Sequence, residues 1–440
     1  MARGLIIAAP ASGSGKTVTT LSLLSLLKEG GHSVASCKAG PDYIDPEFHA
    51  AATAQPCFNL DLWAMRRRSL DALVARQTAR ADLVIVEGVM GLFDGIPGQD
   101  GRSNGSCAEL AHYLDLPILL VLSVKGQGAT AGAILEGLTR HDSRLRFAGV
   151  VFNQVGGEVH REILAEAAAA AGLKVLGMMP RVEALKVPER HLGLVQAREH
   201  QGLDAFFATA RASFAGAFDL EAIAASAGPI ATPAVPLAPL VPPLGQRIAI
   251  ADDVAFSFSY PFQREAWVDA GATVLPFSPL ADQAPDATAD AVFLPGGYPE
   301  LHAARLAGNR NFLDGLRAAA GRGACVYGEC GGYMTLGTGI TDAQGARHAM
   351  AGLLPVETSF AQRRLHLGYR QVSLCGDSAL GPMGATFRGH EFHYATILLE
   401  GAGDALFKGA DSRGRDQGDL GRRVGRVMGS FIHLIDRVGD

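Results

Sequence analysis

The stretch LIIAAPASGSGKTVTT, residues 5–20, reads as a buried strand, a turn of small residues and the start of a helix. An apolar run with no polar interruption, here 5–9, fits a strand covered on both faces, as in parallel sheets. In the turn, Ser12, Gly13, Ser14 and Gly15 leave backbone N–H groups free to close around phosphate oxygens, and the helix that follows adds its positive end. Lys16 has the reach for the β- and γ-phosphates, and the Thr17 hydroxyl is a ligand for Mg²⁺. Pro10 stands where the usual G-x-x-x-x-G-K-[ST] pattern has glycine.

Outward from this loop, further strand candidates fall at 33–37, 83–86, 118–123, 148–153 and 174–178, with helical spacing of apolar residues at 18–27, 70–78, 129–139 and 159–171. Strands alternating with helices predict a doubly wound α/β domain, whose ligands sit at the carboxyl ends of the strands. Two acid-bearing segments lie at such ends: KAGPDYIDP (38–46) and VEGVMGLFDG (86–95). Mg²⁺ takes hard oxygen ligands beside phosphates, so Glu87 with Asp42 or Asp45 suits Thr17, and Asp94 is a further acid of the same kind. A second α/β pattern begins at 247–251 and continues at 273–276, 291–294 and 324–327, with later strands at 371–375, 396–399 and 424–428 assigned to the same sheet. Between the two patterns lies GPIATPAVPLAPLVPPLG (228–245), whose prolines exclude a helix or central strand and suit a polyproline II spacer. The expected division is therefore 1–227, a linker at 228–245, and 246–440.

A net charge of −5 argues against a nucleic-acid polyanion as the main ligand. Six scattered cysteines without CxxC spacing point to free thiols in a reducing cytoplasm. No apolar run is long enough to suggest a membrane span.

The second half carries its own chemistry in GACVYGECGGYM (323–334). A strand runs into Cys330 between small residues, as a strained nucleophile elbow requires, and a helix start there would favour a thiolate. In LPGGYPE (294–300), the Gly296 and Gly297 N–H groups join that of Gly331 as a candidate oxyanion hole. GSFIH (429–433) supplies His433 as candidate base, with His390 and His393 of GHEFHY as rivals better placed near substrate or in structural roles.

The A-P-x-S-G-x-G-K-T loop resembles the dethiobiotin-synthetase branch of phosphate-loop enzymes, and the second half resembles the triad-type (class I) glutamine amidotransferases. In the latter a glutamate usually stands two residues after the histidine; here that position is Ile435 and the nearest acid is Asp436. A Cys330–His433 dyad is therefore expected, with Asp436 turned away by a helix after His433. Taken together with PERHLGLV (188–195), these segments resemble the cobyrinic and hydrogenobyrinic acid a,c-diamide synthases. That resemblance implies ATP, glutamine and a corrin-ring precursor as substrates, an acyl phosphate formed with Mg²⁺, and a homodimer. It also implies that Asp42, Tyr43, Ile44 and Asp45 meet the macrocycle or the phosphates. Two competing readings are amidation of another tetrapyrrole, such as nickel-sirohydrochlorin, and a regulatory ATPase with a silent amidotransferase-like domain.

Overall fold

The computed structural model describes residues 2–97, 103–185, 189–190, 193–194, 196–200, 202–231 and 235–439. Half of the 188–195 segment, residues 188, 191, 192 and 195, lies outside them. The chain divides into two units, Met1–Trp63 with Leu70–Pro236, and Ala64–Ser69 with Leu237–Asp440. The break falls inside the proline-rich segment, whose ends are not free spacer. Gly228–Pro229 forms a short strand antiparallel to the first strand of the chain. Leu240, Val241 and Leu244 are buried, and the Val241 carbonyl accepts the Trp267 indole N–H at 2.8 Å.

In the first unit, β1 (Arg3–Ala8), β2 (Val34–Ala39), β3 (Phe58–Leu60), β4 (Leu83–Glu87), β5 (Ile118–Ser123), β6 (Phe147–Val155) and β7 (Val175–Pro180) form a parallel sheet. Its order is β3-β2-β4-β1-β5-β6-β7. β1 is buried from Gly4 to Ala8, as its unbroken apolar run requires. Chain order reverses at β1, which has β4 on one side and β5 on the other. At such a switch point neighbouring loops diverge and leave a crevice at the strands' carboxyl ends. The helix α1 (Lys16–Glu29) starts in that crevice immediately after the glycine turn.

In the second unit, β8 (Arg247–Ala251), β9 (Thr273–Phe277), β10 (Ala291–Leu294) and β11 (Cys325–Glu329) are parallel and continue into antiparallel strands. These are β12 (His366–Leu374), β13 (Thr386–His393), β14 (Asp404–Asp411), β15 (Asp416–Val424), β16 (Val427–Ser430) and β17 (Ile432–Arg437). The sheet order is β9-β8-β10-β11-β16-β15-β14-β12-β13-β17. One face packs on a core around Phe312, Leu316 and Tyr333, the other on Trp267, Phe293 and Phe407.

Three sequence expectations need correction here. Residues 396–399 belong to Thr396–Glu400, a strand of a separate four-stranded sheet. Residues 424–428 span the turn between β15 and β16 rather than one strand. The chain after His433 is the strand β17 and not a helix, because it pairs antiparallel with β13, His433 opposite His390.

Candidate functional sites

The phosphate-loop site is built on the ends of β1, β2 and β4. Gly15 has φ +90, a left-handed conformation that glycine alone adopts without strain, and a side chain there would collide with the Asn153 carboxamide. The Asn153 amide donates to the Ser14 carbonyl at 3.1 Å and ties the loop to the end of β6. Ser12, Gly13, Gly15, Lys16 and Thr17 line a cavity of about 890 Å³ with Lys38, Asp42, Asp45 and Glu87. Ser14 turns its hydroxyl to the Ala11 carbonyl at 2.8 Å.

At the cavity floor the Thr17 hydroxyl donates to Glu87 Oε1 at 2.8 Å and to Asp45 Oδ2 at 3.4 Å. Lys38, a residue without an assigned role in the sequence reading, inserts its ammonium into the same cluster, 2.6 Å from Asp45 Oδ2 and 3.0 Å from Glu87 Oε1. His49 lies 2.7 Å from the other Glu87 oxygen and 3.6 Å from Cys57 Sγ through its far nitrogen. The signal for Lys38 was a lone lysine inside the buried strand VASCKA, and for His49 its position one helical turn after Asp45.

The charges are unevenly distributed. Burial opposes ionisation of Glu87, yet the Lys38 ammonium, the His49 ring and the Thr17 hydroxyl hold it well below the usual carboxylate range. Burial, then the Asp42 carboxylate, pushes Asp45 up to about 8. His49 is raised to about 9 against its burial, toward Cys57 and Glu87; the Cys57 thiol is itself pushed up and stays neutral, so Glu87 is the effective partner. The Lys38 and His49 cations thus balance the ionised Glu87 while Asp45 holds its proton, and Thr17, Asp45 and Glu87 converge their oxygens there. A divalent cation fits that donor set.

Of the remaining predicted residues, Asp42 accepts the Ile44 N–H at 2.8 Å and organises the turn into the helix Asp45–Thr53. Ile44 is buried and Tyr43 half-buried, and neither lines the cavity. Asp94 is exposed and accepts the Gly91 N–H at 2.9 Å, a turn contact.

The thiol site lies where β10, β11 and β16 end together. Cys330 has φ +47, the strained conformation of an elbow, and its N–H donates to the Ser430 carbonyl at 2.8 Å. β16 runs parallel to β11 with Ser430 opposite Glu329, so three residues later the chain delivers His433 beside the elbow. A side chain at Gly296 would collide with the His433 ring, so Gly296 provides the imidazole's seat. The Gly297 nitrogen and Gly331 approach closely, which brings two of the three candidate oxyanion donors together.

Burial, then the Glu300 carboxylate, pushes the Cys330 thiol far above its usual range. The sequence reading expected a favoured thiolate; the helix that follows, Gly331–Leu336, is too short and the thiol too buried for that. Burial, then His390 and His393, pushes His433 down to about 3, so the imidazole is neutral and can accept a proton. Asp436 accepts the Arg66 backbone N–H at 2.8 Å and pairs with the guanidinium at 2.9 Å. Glu329, which the sequence reading passed over, places Oε2 3.8 Å from His433 Nδ1.

His366, Glu391 and His393 hold donor atoms within 4.8 Å of one another. The two rings are stacked 5° from parallel, so their in-plane lone pairs do not converge on one ion, and Arg370 pairs with Glu391 at 2.6 Å. This is a polar network rather than a metal centre.

Comparison with known proteins accounts for both halves. Residues 5–195 match the CobQ/CobB/MinD/ParA nucleotide binding domain, and residues 247–437 match the CobB/CobQ-like glutamine amidotransferase domain. The chain is 52% identical over 434 residues to the hydrogenobyrinate a,c-diamide synthase of Rhodobacter capsulatus, covering 98% of each. It is 49% identical over 442 residues to the enzyme of the same name from a Sinorhizobium species, covering 99% of each. With half its residues shared from end to end, the chain belongs to the hydrogenobyrinate a,c-diamide synthase family and is a glutamine-dependent amide ligase.

Proposed function

We propose that this chain converts the a and c side-chain carboxylates of hydrogenobyrinic acid, or of its cobalt-containing counterpart cobyrinic acid, to carboxamides through an acyl phosphate. The observation that carries the reading is the pairing of a phosphate cradle over an acid cluster with a separate cysteine elbow beside a neutral histidine. A carboxylate does not react with ammonia, so one site must convert it to a phosphoric anhydride. Free ammonia is mostly protonated in neutral water, so the other must release it on demand.

In the first unit, the loop from Ser12 to Thr17 holds the ATP phosphates, and Lys16 neutralises charge on the transferring phosphoryl group. Lys38, at the floor of the same cavity, offers a second cation to the substrate carboxylate or to the acyl phosphate. Mg²⁺ would be held by Thr17, Asp45 and Glu87, where it would offset charge on the phosphates. Tyr43, beside the cavity entrance residue Asp42, is the side chain we assign to the macrocycle. In the second unit, Cys330 attacks the glutamine carboxamide, His433 takes the thiol proton and returns it to the departing ammonia, and the Gly297 and Gly331 N–H groups receive the oxyanion.

The test is to supply purified enzyme with glutamine, ATP and Mg²⁺, and to offer hydrogenobyrinic acid, cobyrinic acid and nickel-sirohydrochlorin separately. Mass spectrometry should show two hydroxyl groups replaced by amino groups on one of the first two, with ADP and phosphate formed in step. Preference for nickel-sirohydrochlorin, or ATP hydrolysis with no amide formed on any of them, would overturn the reading.

A further inference from the structure

We infer that Glu329 is the positioning carboxylate of the glutaminase site, acting on His433 from the strand that carries the nucleophile. The inference rests on the proposed Cys330–His433 chemistry. A cysteine–histidine pair needs the imidazole held with one nitrogen toward the thiol, and an acid behind the other nitrogen both fixes the ring and stabilises the imidazolium. The usual position for that acid holds Ile435. Asp436 is engaged by the backbone N–H and the guanidinium of Arg66. Neither serves.

Glu329 is built for the task by its surroundings. It closes β11, directly before Cys330, and is almost completely buried. Its Oε1 accepts the Tyr327 hydroxyl at 3.0 Å and the Leu434 backbone N–H at 3.1 Å. These two donors fix the carboxyl plane from its own strand and from the residue after His433. The remaining oxygen, Oε2, then faces His433 Nδ1 at 3.8 Å, while the Cε1 edge of the ring rests against Gly296. With Nδ1 turned to Glu329, Nε2 is the nitrogen that serves the thiol.

The proton balance closes. The S–H proton passes to Nε2, the S–C bond forms as the C–N bond of glutamine breaks, and the same proton leaves on ammonia. The positive ring exists only between those two events, and Nδ1–H then faces Glu329, whose carboxyl is pushed up to about 8 by burial and must release its proton to meet the ring as a carboxylate. The other charged groups around the pair are His390, His393 and Glu391 facing His433, and Glu300 and Glu391 facing Cys330. The resting separation is longer than a hydrogen bond. The contact therefore tightens when the ring becomes charged.

Glu329→Gln tests this, because the amide oxygen can still accept from Tyr327 and Leu434. Glutamine hydrolysis should fall about tenfold or more in kcat, with the KM for glutamine and ammonium-supported amidation essentially unchanged. Glu329→Asp, which keeps the charge but loses reach, should fall between. Alkylation of Cys330 by iodoacetamide, followed by peptide mass, should slow in Glu329→Gln and in His433→Ala, and the double variant should be no slower than His433→Ala alone. A purely structural role predicts additive losses, and additivity overturns the inference, as does a normal kcat in Glu329→Gln. Cys330→Ala and His433→Ala run alongside: if either hydrolyses glutamine normally, the glutaminase assignment itself is wrong. If both are dead and Glu329→Gln is not, only the role of Glu329 falls.

Discussion

Lys38 shows how much of a site can depend on one buried side chain. Its ammonium is 3% exposed and lies among Asp45, Glu87 and, at 3.9 Å, Asp42. Burial disfavours the charge, but these three carboxylates raise Lys38 well above its ordinary range and keep it ionised. Replacing it with an apolar chain leaves Asp45 and Glu87 buried without their shared ammonium, a change that costs about 3–5 kcal/mol for comparable pairs. Asp45 already holds its proton up to about 8, and without Lys38 it would hold it to still higher pH. A carboxyl whose folded pKa lies above its unfolded value stabilises the fold only while protonated, and that contribution fades as pH rises from the unfolded value through the folded one. Lys38→Met should therefore unfold at lower temperature than the parent, by a deficit that widens as pH rises above about 8, where the parent's Asp45 has already ionised and the variant's has not. Amidation should be lost with glutamine and ammonium alike. A thermal-unfolding series against pH checks the first expectation; a deficit independent of pH would show that Asp45 is not the group left exposed to charge.

At the scale of elements, β17 decides which acid can reach His433. The pairing with β13 shifts register between Arg388 and Gly389 and leaves Ile435 as an extra residue, so Asp436, opposite Arg388, returns to the sheet face that carries His433. Asp436 instead binds Arg66 through the backbone N–H, Nε and a terminal guanidinium nitrogen. Asp436→Asn keeps the shape and loses the charge. It should destabilise the protein by about 1–3 kcal/mol, the range for a buried charge-assisted contact, and leave the kcat for glutamine near normal at moderate temperature. A loss as deep as that of His433→Ala would instead make Asp436 part of the machinery. The sequence reading turned Asp436 away from His433 by a helix, where the chain is a strand with one extra residue. An apolar His-Leu-Ile stretch has no period long enough to separate helix from strand, and only pairing with β13 settles it. Most parallel strands of both sheets were legible because each is a short apolar run, but β3, only three residues long, was not foreseen. β12 and β15 were less so: both are half-exposed, carry arginines and glycines, and gain their order from neighbours distant in sequence. The elbow, the phosphate loop and Glu87 could be read from local pattern. Lys38, His49 and Glu329 could not be assigned roles, because their partners lie on other strands and helices.

At the scale of the whole molecule, the proposed function divides one reaction between two candidate sites whose electrostatics differ. The phosphate site gathers cations and carboxylates around a highly charged substrate. The thiol site is dry enough to hold both the Cys330 thiol and the His433 ring neutral at rest. Such a division makes the halves separable by nitrogen source. Cys330→Ala should abolish glutamine-supported amidation and keep ammonium-supported amidation, because acyl phosphate formation asks nothing of the sulfur. Lys16→Ala should lose both, since Lys16 reaches the phosphates and its removal withdraws charge stabilisation from the transferring group, at roughly a thousandfold in rate. Its glutaminase, assayed without the other substrates, should retain the parent's basal rate. Steady-state amide formation with glutamine or ammonium, and glutamate release from glutamine, measure all of these in one set of preparations. If Cys330→Ala fails with ammonium while still folded, or if Lys16→Ala keeps most of its ammonium-supported rate, the assignment of activation to the first unit and ammonia release to the second does not hold.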